Sequence, residues 1–296
     1  MSEGEFPTLA TARVAIVGLG LIGGSLALAL RPHCATLLGV DPDPQARAWA
    51  QRRARFDAVA TDPAAVLPQA NVVLLAAPVS AILRLIPRLP RWVRGPALVL
   101  DVGSTKGAIA QALAQLPPPL QAVGGHPMAG KALAGAKHAE ATLFQGAPFA
   151  LVDLPNTGPL ARRLALDIVA ALGAHPIWIE ASAHDEAVAA VSHLPYLLAL
   201  ALTLATPEEA AALLGPGFRS ASRLAGSPPN LMADIVGHNL PALRRALARF
   251  RQSLAKIEAA LENPSARAAL FAHGQQAHTR LLARARQEPP LLSKPS

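Results

Sequence analysis

The chain has 296 residues, of which 52% are hydrophobic and 16% charged, with one cysteine and a formal net charge of +8. That length suits two domains, and that composition excludes a disordered or collagen-like chain. A single cysteine, Cys34, excludes an intramolecular disulfide and a thiolate zinc cluster, so no metal is expected.

The excess of positive charge comes without basic residues interleaved with aromatics, which are only 4% of the chain. It is read as a solvated basic face around an anionic small molecule, not as a nucleic-acid surface. No cationic stretch precedes an apolar one in Met1 to Ala12, so a secretory signal is not expected and the expected address is the cytoplasm.

Short apolar runs bounded by Gly, Pro or Asp predict buried strands at Arg13 to Gly18, Thr36 to Asp41, Asn71 to Ala76, Ala97 to Asp101, Gln121 to Gly124 and Phe149 to Val152. Helical periodicity falls between them, at Gly24 to Arg31, Gln45 to Arg53, Val79 to Arg88, Lys106 to Leu116 and Pro159 to Leu172. Strands alternating with helices imply an α/β domain with a doubly wound parallel sheet. The alternation stops near Ile177 to Ala183. Beyond it Ala183 to Ala205, Pro207 to Leu214, Leu231 to Leu261 and Ser265 to Arg286 are all helical in pattern.

Val188 to Ala205 is weakly charged but carries His193, Pro195, Tyr196 and Thr203, and it reads as a buried helix, not a membrane span. Leu231 to Leu261 is interrupted only by Gly237 and Pro241, and a helix of that length points to packing against a second chain. The expected organisation is a dinucleotide-binding domain over residues 1–180, an all-α substrate and dimerisation domain over 181–286, and a frayed proline-rich tail over 287–296.

The sharpest local signal is Gly18-Leu19-Gly20-Leu21-Ile22-Gly23, which follows an apolar strand and opens an amphipathic helix. Gly18 suits a tight turn, Gly20 lets a pyrophosphate approach the backbone, and Gly23 lets the helix sit close to the strand, as in a Rossmann-type domain. The helix N-terminus would then face the phosphates. Leu21, Ile22 and Pro78 complete the expected cofactor contacts. Asp41, eighteen residues beyond Gly23, would accept hydrogen bonds from a ribose and repel a 2′-phosphate. Pro42, Asp43 and Pro44 supply no cation for that phosphate, so the expected cofactor is NAD.

Asp101-Val102-Gly103-Ser104-Thr105-Lys106-Gly107 leaves one strand, and Gly124-Gly125-His126-Pro127-Met128-Ala129-Gly130 leaves another. Loops at the carboxyl ends of parallel strands converge over the nucleotide, so Ser104 and His126 are expected to meet there. Pro127 biases His126 toward an extended backbone.

Together with Gly18 to Ser25, His184-Asp185-Glu186 and Val191-Ser192-His193-Leu194-Pro195, these segments resemble the prephenate/arogenate dehydrogenase family of tyrosine biosynthesis, over about residues 13–262. The resemblance implies an NAD-dependent oxidative decarboxylation, a nucleotide domain followed by a helical dimerisation domain, and a homodimer that binds a small molecule but neither membrane nor nucleic acid. It implies that neutral His126 takes the proton of the substrate 4-hydroxyl as C4 gives up a hydride, and that the ring carboxylate then leaves as CO2. Ser104 is expected to hydrogen-bond His126 or that hydroxyl and to set the imidazole tautomer. Arg223, in Gly217 to Ala225, matches the family's carboxylate-binding arginine ahead of a long helix. Arg219 is expected to be exposed.

Three departures bear on the substrate. Lys131 and Ala132 stand where many members have Ser or Thr followed by an acid; Lys131 suits the keto acid side chain of prephenate, whereas an acid there would suit the ammonium of arogenate. Prephenate is the reading favoured, arogenate the alternative. Tyr196 replaces a second histidine and can donate one hydrogen bond to substrate, and Met232 replaces a frequent tryptophan.

His193 is either a packing residue or a ligand, Asp185 is read as capping a helix start, and Lys106 either touches substrate or cofactor phosphate or stays solvated. Glu140, Asp153 and Glu180 form no constellation. Three further readings stay open, one of them a nucleic-acid-binding protein drawn by the net charge of +8, whose binding would be salt-sensitive. A β-hydroxyacid dehydrogenase would be expected to have a catalytic lysine in the helical half, where Lys256 lies in no motif. A nucleotide-sensing regulator would bind cofactor without turnover. The segments before Arg13 and after the last helix are read as too short for a fused mutase or regulatory domain.

Overall fold

The structure, a computed structural model, describes residues 6–131 and 133–286. Eight strands form one sheet: β1 (Arg13–Val17), β2 (Thr36–Val40), β3 (Ala58–Ala60), β4 (Val72–Leu75), β5 (Ala97–Asp101), β6 (Leu120–Pro127), β7 (Pro148–Val152) and β8 (His175–Trp178). Their order is β3-β2-β1-β4-β5-β6-β7-β8. The helices between them are α1 (Leu21–Leu30), α2 (Pro44–Arg53), α3 (Val79–Leu85), α4 (Leu89–Trp92), α5 (Gly107–Leu113) and α6 (Pro159–Ala171).

The central strands are apolar at every position because both faces are covered. On β1, β4 and β5, Val14, Ile16, Leu74 and Leu100 point to the face packed by Leu26 and Leu30 of α1 and Leu164 and Ile168 of α6. The alternate residues Ala15, Val73, Leu75 and Val99 point the other way, against Ile82 of α3 and Ile109 and Leu113 of α5. Two cores therefore share one sheet, as the period of two requires.

The structure corrects the fully parallel sheet in one place. β7 runs antiparallel to β6, while β8 is parallel to β7. Among the described residues, the connection from Pro127 to Pro148 holds only a 3-10 turn, Ala136–His138, without the crossover helix that a parallel return needs. Strand β6 also runs further than expected and takes in His126 and Pro127, which belong to the strand and not to a loop. The edge strands β3 and β8 escape the apolar pattern: one has three residues, and the other carries Pro176, tolerated because its N–H side faces no neighbour.

From Ala181 onward the described chain is helical: α7 (Ala181–Val188), a π turn (Ala189–His193), α8 (Leu194–Ala205), α9 (Pro216–Ser222), α10 (Pro229–Gly237), α11 (Leu240–Leu261) and α12 (Pro264–Arg286). Glu208–Leu213 and Arg223–Gly226 are 3-10 turns. The single helix expected over Leu231 to Leu261 is two. It breaks at His238 and Asn239, with Gly237 closing the first helix and Pro241 in the first turn of the second. Ala181–Ala205 is the one segment among the described residues long and apolar enough to cross a membrane; in this fold α8 packs along the Arg223–Gly226 turn.

The helical core is small, formed by Ala189, Leu194, Ala242, Leu243 and Ala246. Asp234 of α10 fastens it to the sheet half by accepting from the backbone N–H of Ser80 at 3.2 Å and from the Ser80 hydroxyl. The fraying expected of residues 287–296 lies outside the described residues, as do residues 1–5 and Ala132.

Candidate active site

The glycine motif is built as its three roles require. Gly18 has φ +96°, and a Cβ there would lie 2.4 Å from the Ala76 carbonyl oxygen. A Cβ on Gly23 would lie 1.8 Å from the Gly18 carbonyl oxygen, so α1 can approach β1 only with glycine there. At Gly20 nothing stands within 4 Å of the corresponding position, which leaves open space against the first turn of α1. The amides of that turn have no intrahelical acceptor.

Gly20, Leu21, Ile22, Pro78, Ser104 and Lys131 line one cleft of about 410 Å³, closed from the far side by Pro228, Leu231 and Ile235 at α10. A second opening beyond Gly20 is lined by Asp41, Trp49, Arg52 and Lys137. The Asp41 carboxylate is fixed there, accepting from the Leu19 N–H at 2.7 Å and the Asp43 N–H at 2.8 Å. Pro42, Asp43 and Pro44 supply no cation there, but Arg52 near the end of α2 and Lys137 of a distant loop line the same opening.

Lys106 neither touches the cleft nor meets solvent. Its side chain is fully buried, ion-paired with the equally buried Asp101, and donates to the Gly125 carbonyl at 2.6 Å. Asp101 also accepts from the N–H groups of Gly103 (2.9 Å) and Gly125 (3.1 Å). Burial pushes the Lys106 pKa down and attraction to Asp101 opposes it. The pair welds the end of β5 to β6 just before His126.

His126 pairs across the sheet with Ala150 of β7, and its ring is partly buried. Its Nδ1 lies 2.9 Å from Nε2 of His184, and the two rings meet edge to face at 66°. His184 in turn places Nδ1 2.9 Å from the Asp185 carboxylate. That carboxylate also accepts from the backbone N–H groups of Lys106 (2.7 Å) and Gly107 (2.8 Å). Asp185 therefore caps the start of α5 across the molecule, not the start of its own helix. Burial acts to raise its pKa, but the bonds from His184, Lys106 and Gly107 outweigh it and hold the carboxyl below its usual range.

Burial above all holds His126 well below the ordinary imidazole pKa, so the ring is neutral at physiological pH. His193 is pushed down to about 4, chiefly by burial. It sits 3.3 Å from the Asn239 amide, which also donates to the Asp185 carbonyl at 2.8 Å, and so it packs between the helices of the second half.

The expected site residues are brought together only in part. Gly20, Leu21, Ile22, Pro78, Ser104 and Lys131 share one cleft, and Asp41 borders the next. His126 is not among the residues lining that cleft. Among the described residues, Ser104 makes no hydrogen bond to it, and the imidazole Nδ1 faces His184 instead. The Lys131 ammonium is paired with Glu140 at the exposed rim, so Glu140 does have a partner, as does Asp153 in Arg162. Arg223 is exposed and Tyr196 half-buried, both away from the cleft lining. His184, Asn239 and Asp234 were missed as contact residues; only the His184-Asp185 doublet left a trace in the sequence.

The chain matches the nucleotide-binding domain of prephenate dehydrogenase over residues 26–178 and the prephenate dehydrogenase dimerization domain over residues 180–274. Cyclohexadienyl dehydrogenase of Zymomonas mobilis is 30% identical over 257 residues, covering 84% of this chain and 88% of that protein. The crystal structure of prephenate dehydrogenase from A. aeolicus, in complex with hydroxyphenyl propionate and NAD+, superposes with a TM-score of 0.84 at 26% identity, covering 94% of this chain and 99% of the other. Synechocystis arogenate dehydrogenase superposes with a TM-score of 0.76 at 31% identity, covering 90% and 98%.

Proposed function

Because the chain belongs to the prephenate dehydrogenase family, we propose that it converts prephenate to 4-hydroxyphenylpyruvate by oxidative decarboxylation, with His126 as the base. It is an NAD-dependent oxidoreductase of the prephenate dehydrogenase type. The observation that carries the residue assignment is the placement of His126, a neutral imidazole at the carboxyl end of a sheet strand, beside the loop that presents Ser104.

The residues present fit the cofactor. The open space at Gly20 lets a pyrophosphate reach the first-turn amides at Leu21 and Ile22, and each Asp41 oxygen keeps a lone pair for a ribose hydroxyl. When bound, NAD supplies the hydride acceptor for the substrate C4. His126 accepts the hydrogen bond of the 4-hydroxyl and takes its proton as C4 becomes trigonal. Cleavage of the bond to the ring carboxylate releases CO2, and its electron pair completes the aromatic ring, which makes the step effectively irreversible. Ser104, on the cleft wall, orients the hydroxyl.

Arg223, exposed and without a carboxylate partner among the described residues, is proposed to hold a substrate carboxylate. Tyr196 is proposed to donate one hydrogen bond. Lys131 favours the keto acid of prephenate, but it shares its charge with Glu140, and that carboxylate at the same rim is the observation favouring arogenate as the second reading. The match to a dimerization domain and the exposed apolar faces of α11 support a homodimer, and the single cysteine fits the cytoplasm.

Supplying the purified protein with NAD and either prephenate or arogenate tests the assignment. Cofactor reduction with a kcat/KM about tenfold higher for prephenate, a difference of about 1.4 kcal/mol, is expected. A higher kcat/KM for arogenate reverses the substrate, and no reduction with either contradicts the proposal.

A further inference from the structure

Two hydrogen bonds in series connect a carboxylate to the proposed base, and with His184 neutral they leave one choice of proton positions. The Asp185 carboxylate is held ionised by His184 and by the amides of Lys106 and Gly107, and an ionised carboxylate only accepts. The 2.9 Å contact between Asp185 and His184 therefore puts a proton on His184 Nδ1. A neutral His184 then has none on Nε2, which becomes an acceptor. The 2.9 Å contact with His126 in turn requires a proton on His126 Nδ1. Since His126 carries one proton, its Nε2 is bare.

We infer that His184 and Asp185 are positioning residues that lock His126 in the tautomer with an unprotonated Nε2, the lone pair that proton abstraction requires. This rests on His126 being the base. The lock is itself anchored: His184 is only 2% exposed, the Asp185 carbonyl is held by Asn239, and the Asp185 carboxylate bridges to the start of α5. The charged and titratable groups around it are Lys106, Asp101 and His193. The first two neutralise one another, and His193 stays neutral. The tautomer-setting role expected of Ser104 thus passes to a helix of the second half of the chain.

The full-length protein labelled with 15N-histidine tests this directly, because the nitrogen shifts report which ring nitrogen carries the proton. Single His126→Gln and His184→Gln variants assign the signals. Nδ1 protonated and Nε2 bare at both residues is expected at neutral pH. A protonated Nε2 at His126, as a doubly protonated His184 would impose, overturns the lock.

Kinetics give the second arm. His184→Gln keeps an acceptor oxygen where Nε2 stood, and its kcat should stay within about threefold of the parent. His184→Leu removes the acceptor, and kcat should fall about tenfold, the worth of one lost hydrogen bond, with KM within about twofold. Equal losses in both variants contradict a tautomer role and show packing alone. A bare Nε2 in protein that reduces NAD with neither substrate leaves the lock standing and removes only the functional reading.

Discussion

The sheet half and the helical half bury their apolar residues by different means. Across β1, β4 and β5 the chain's own helices cover both faces, and nearly every side chain is inaccessible. In the helical half a handful of residues around Ala189 and Leu243 form the core, while Leu204, Leu247, Leu254, Ile257 and Phe271 stay exposed. In the proposed homodimer a second copy of the chain covers that stripe. One half buries its apolar residues within a single chain, and the other leaves many of them exposed. The candidate site lies along the seam between them, where His184 reaches His126 of β6, Asp185 the start of α5 and Asp234 the start of α3.

The largest effect expected of a change in the sheet half comes from Lys106→Met. It leaves the Asp101 carboxylate buried without its cation, and breaking a buried pair costs about 3–5 kcal/mol, to be read from the urea midpoint at fixed protein concentration. A loss under about 1 kcal/mol would mean that the sheet half tolerates what its burial says it cannot.

Acidification acts on the seam. His126 and His193 have folded pKa values below the unfolded imidazole value, so the unfolded chain binds more protons between the two. The stability they contribute is fully present above about 6.5 and is lost as the pH falls toward about 4, the folded value of His193. Asp185, also depressed, adds to the loss at lower pH. Lowering the pH from neutral to about 5 should remove about 4 kcal/mol, about 2 from each histidine, and a flat profile would place these groups in solvent.

The smallest effect is expected on the exposed stripe. Leu254→Lys should weaken self-association by tenfold or more, about 1.4 kcal/mol, and leave the unfolding of the sheet half unchanged. Analytical ultracentrifugation across a dilution series reads the first, and far-UV circular dichroism in urea the second. An unaltered sedimentation coefficient at every concentration would move the interface elsewhere.

What the sequence reveals follows the same divide. The central strands are readable because full burial makes them continuous apolar runs, and the glycine motif is readable because its three glycines lie within six residues. Strands β3 and β8 are not, since an edge strand need not be apolar and Pro176 argues against one. The antiparallel β7 follows from the missing crossover helix, a signal visible after Gly130 but not turned into a strand direction. Gly237 and Pro241 were in view as interruptions, and a helix end followed by a helix start accounts for both.

The site is less readable because its partners are distant. Lys106 looks like a solvated lysine until Asp101 and the Gly125 carbonyl enclose it. His126 and His184 are 58 residues apart, with no periodicity to join them. The pairing of Lys131 with Glu140 is not legible either, since the charge of a side chain does not reveal its partner. Cofactor-facing backbone is local and is legible; side-chain constellations assembled from two halves are not.

The most direct measurement compares wild type with His126→Asn, supplying NAD and prephenate to each and following cofactor reduction over a range of substrate concentrations. The account predicts a kcat lower by about 10²- to 10⁴-fold in the variant, with KM changed only a few-fold. A variant turning over at the wild-type rate would contradict the assignment of His126 as the base.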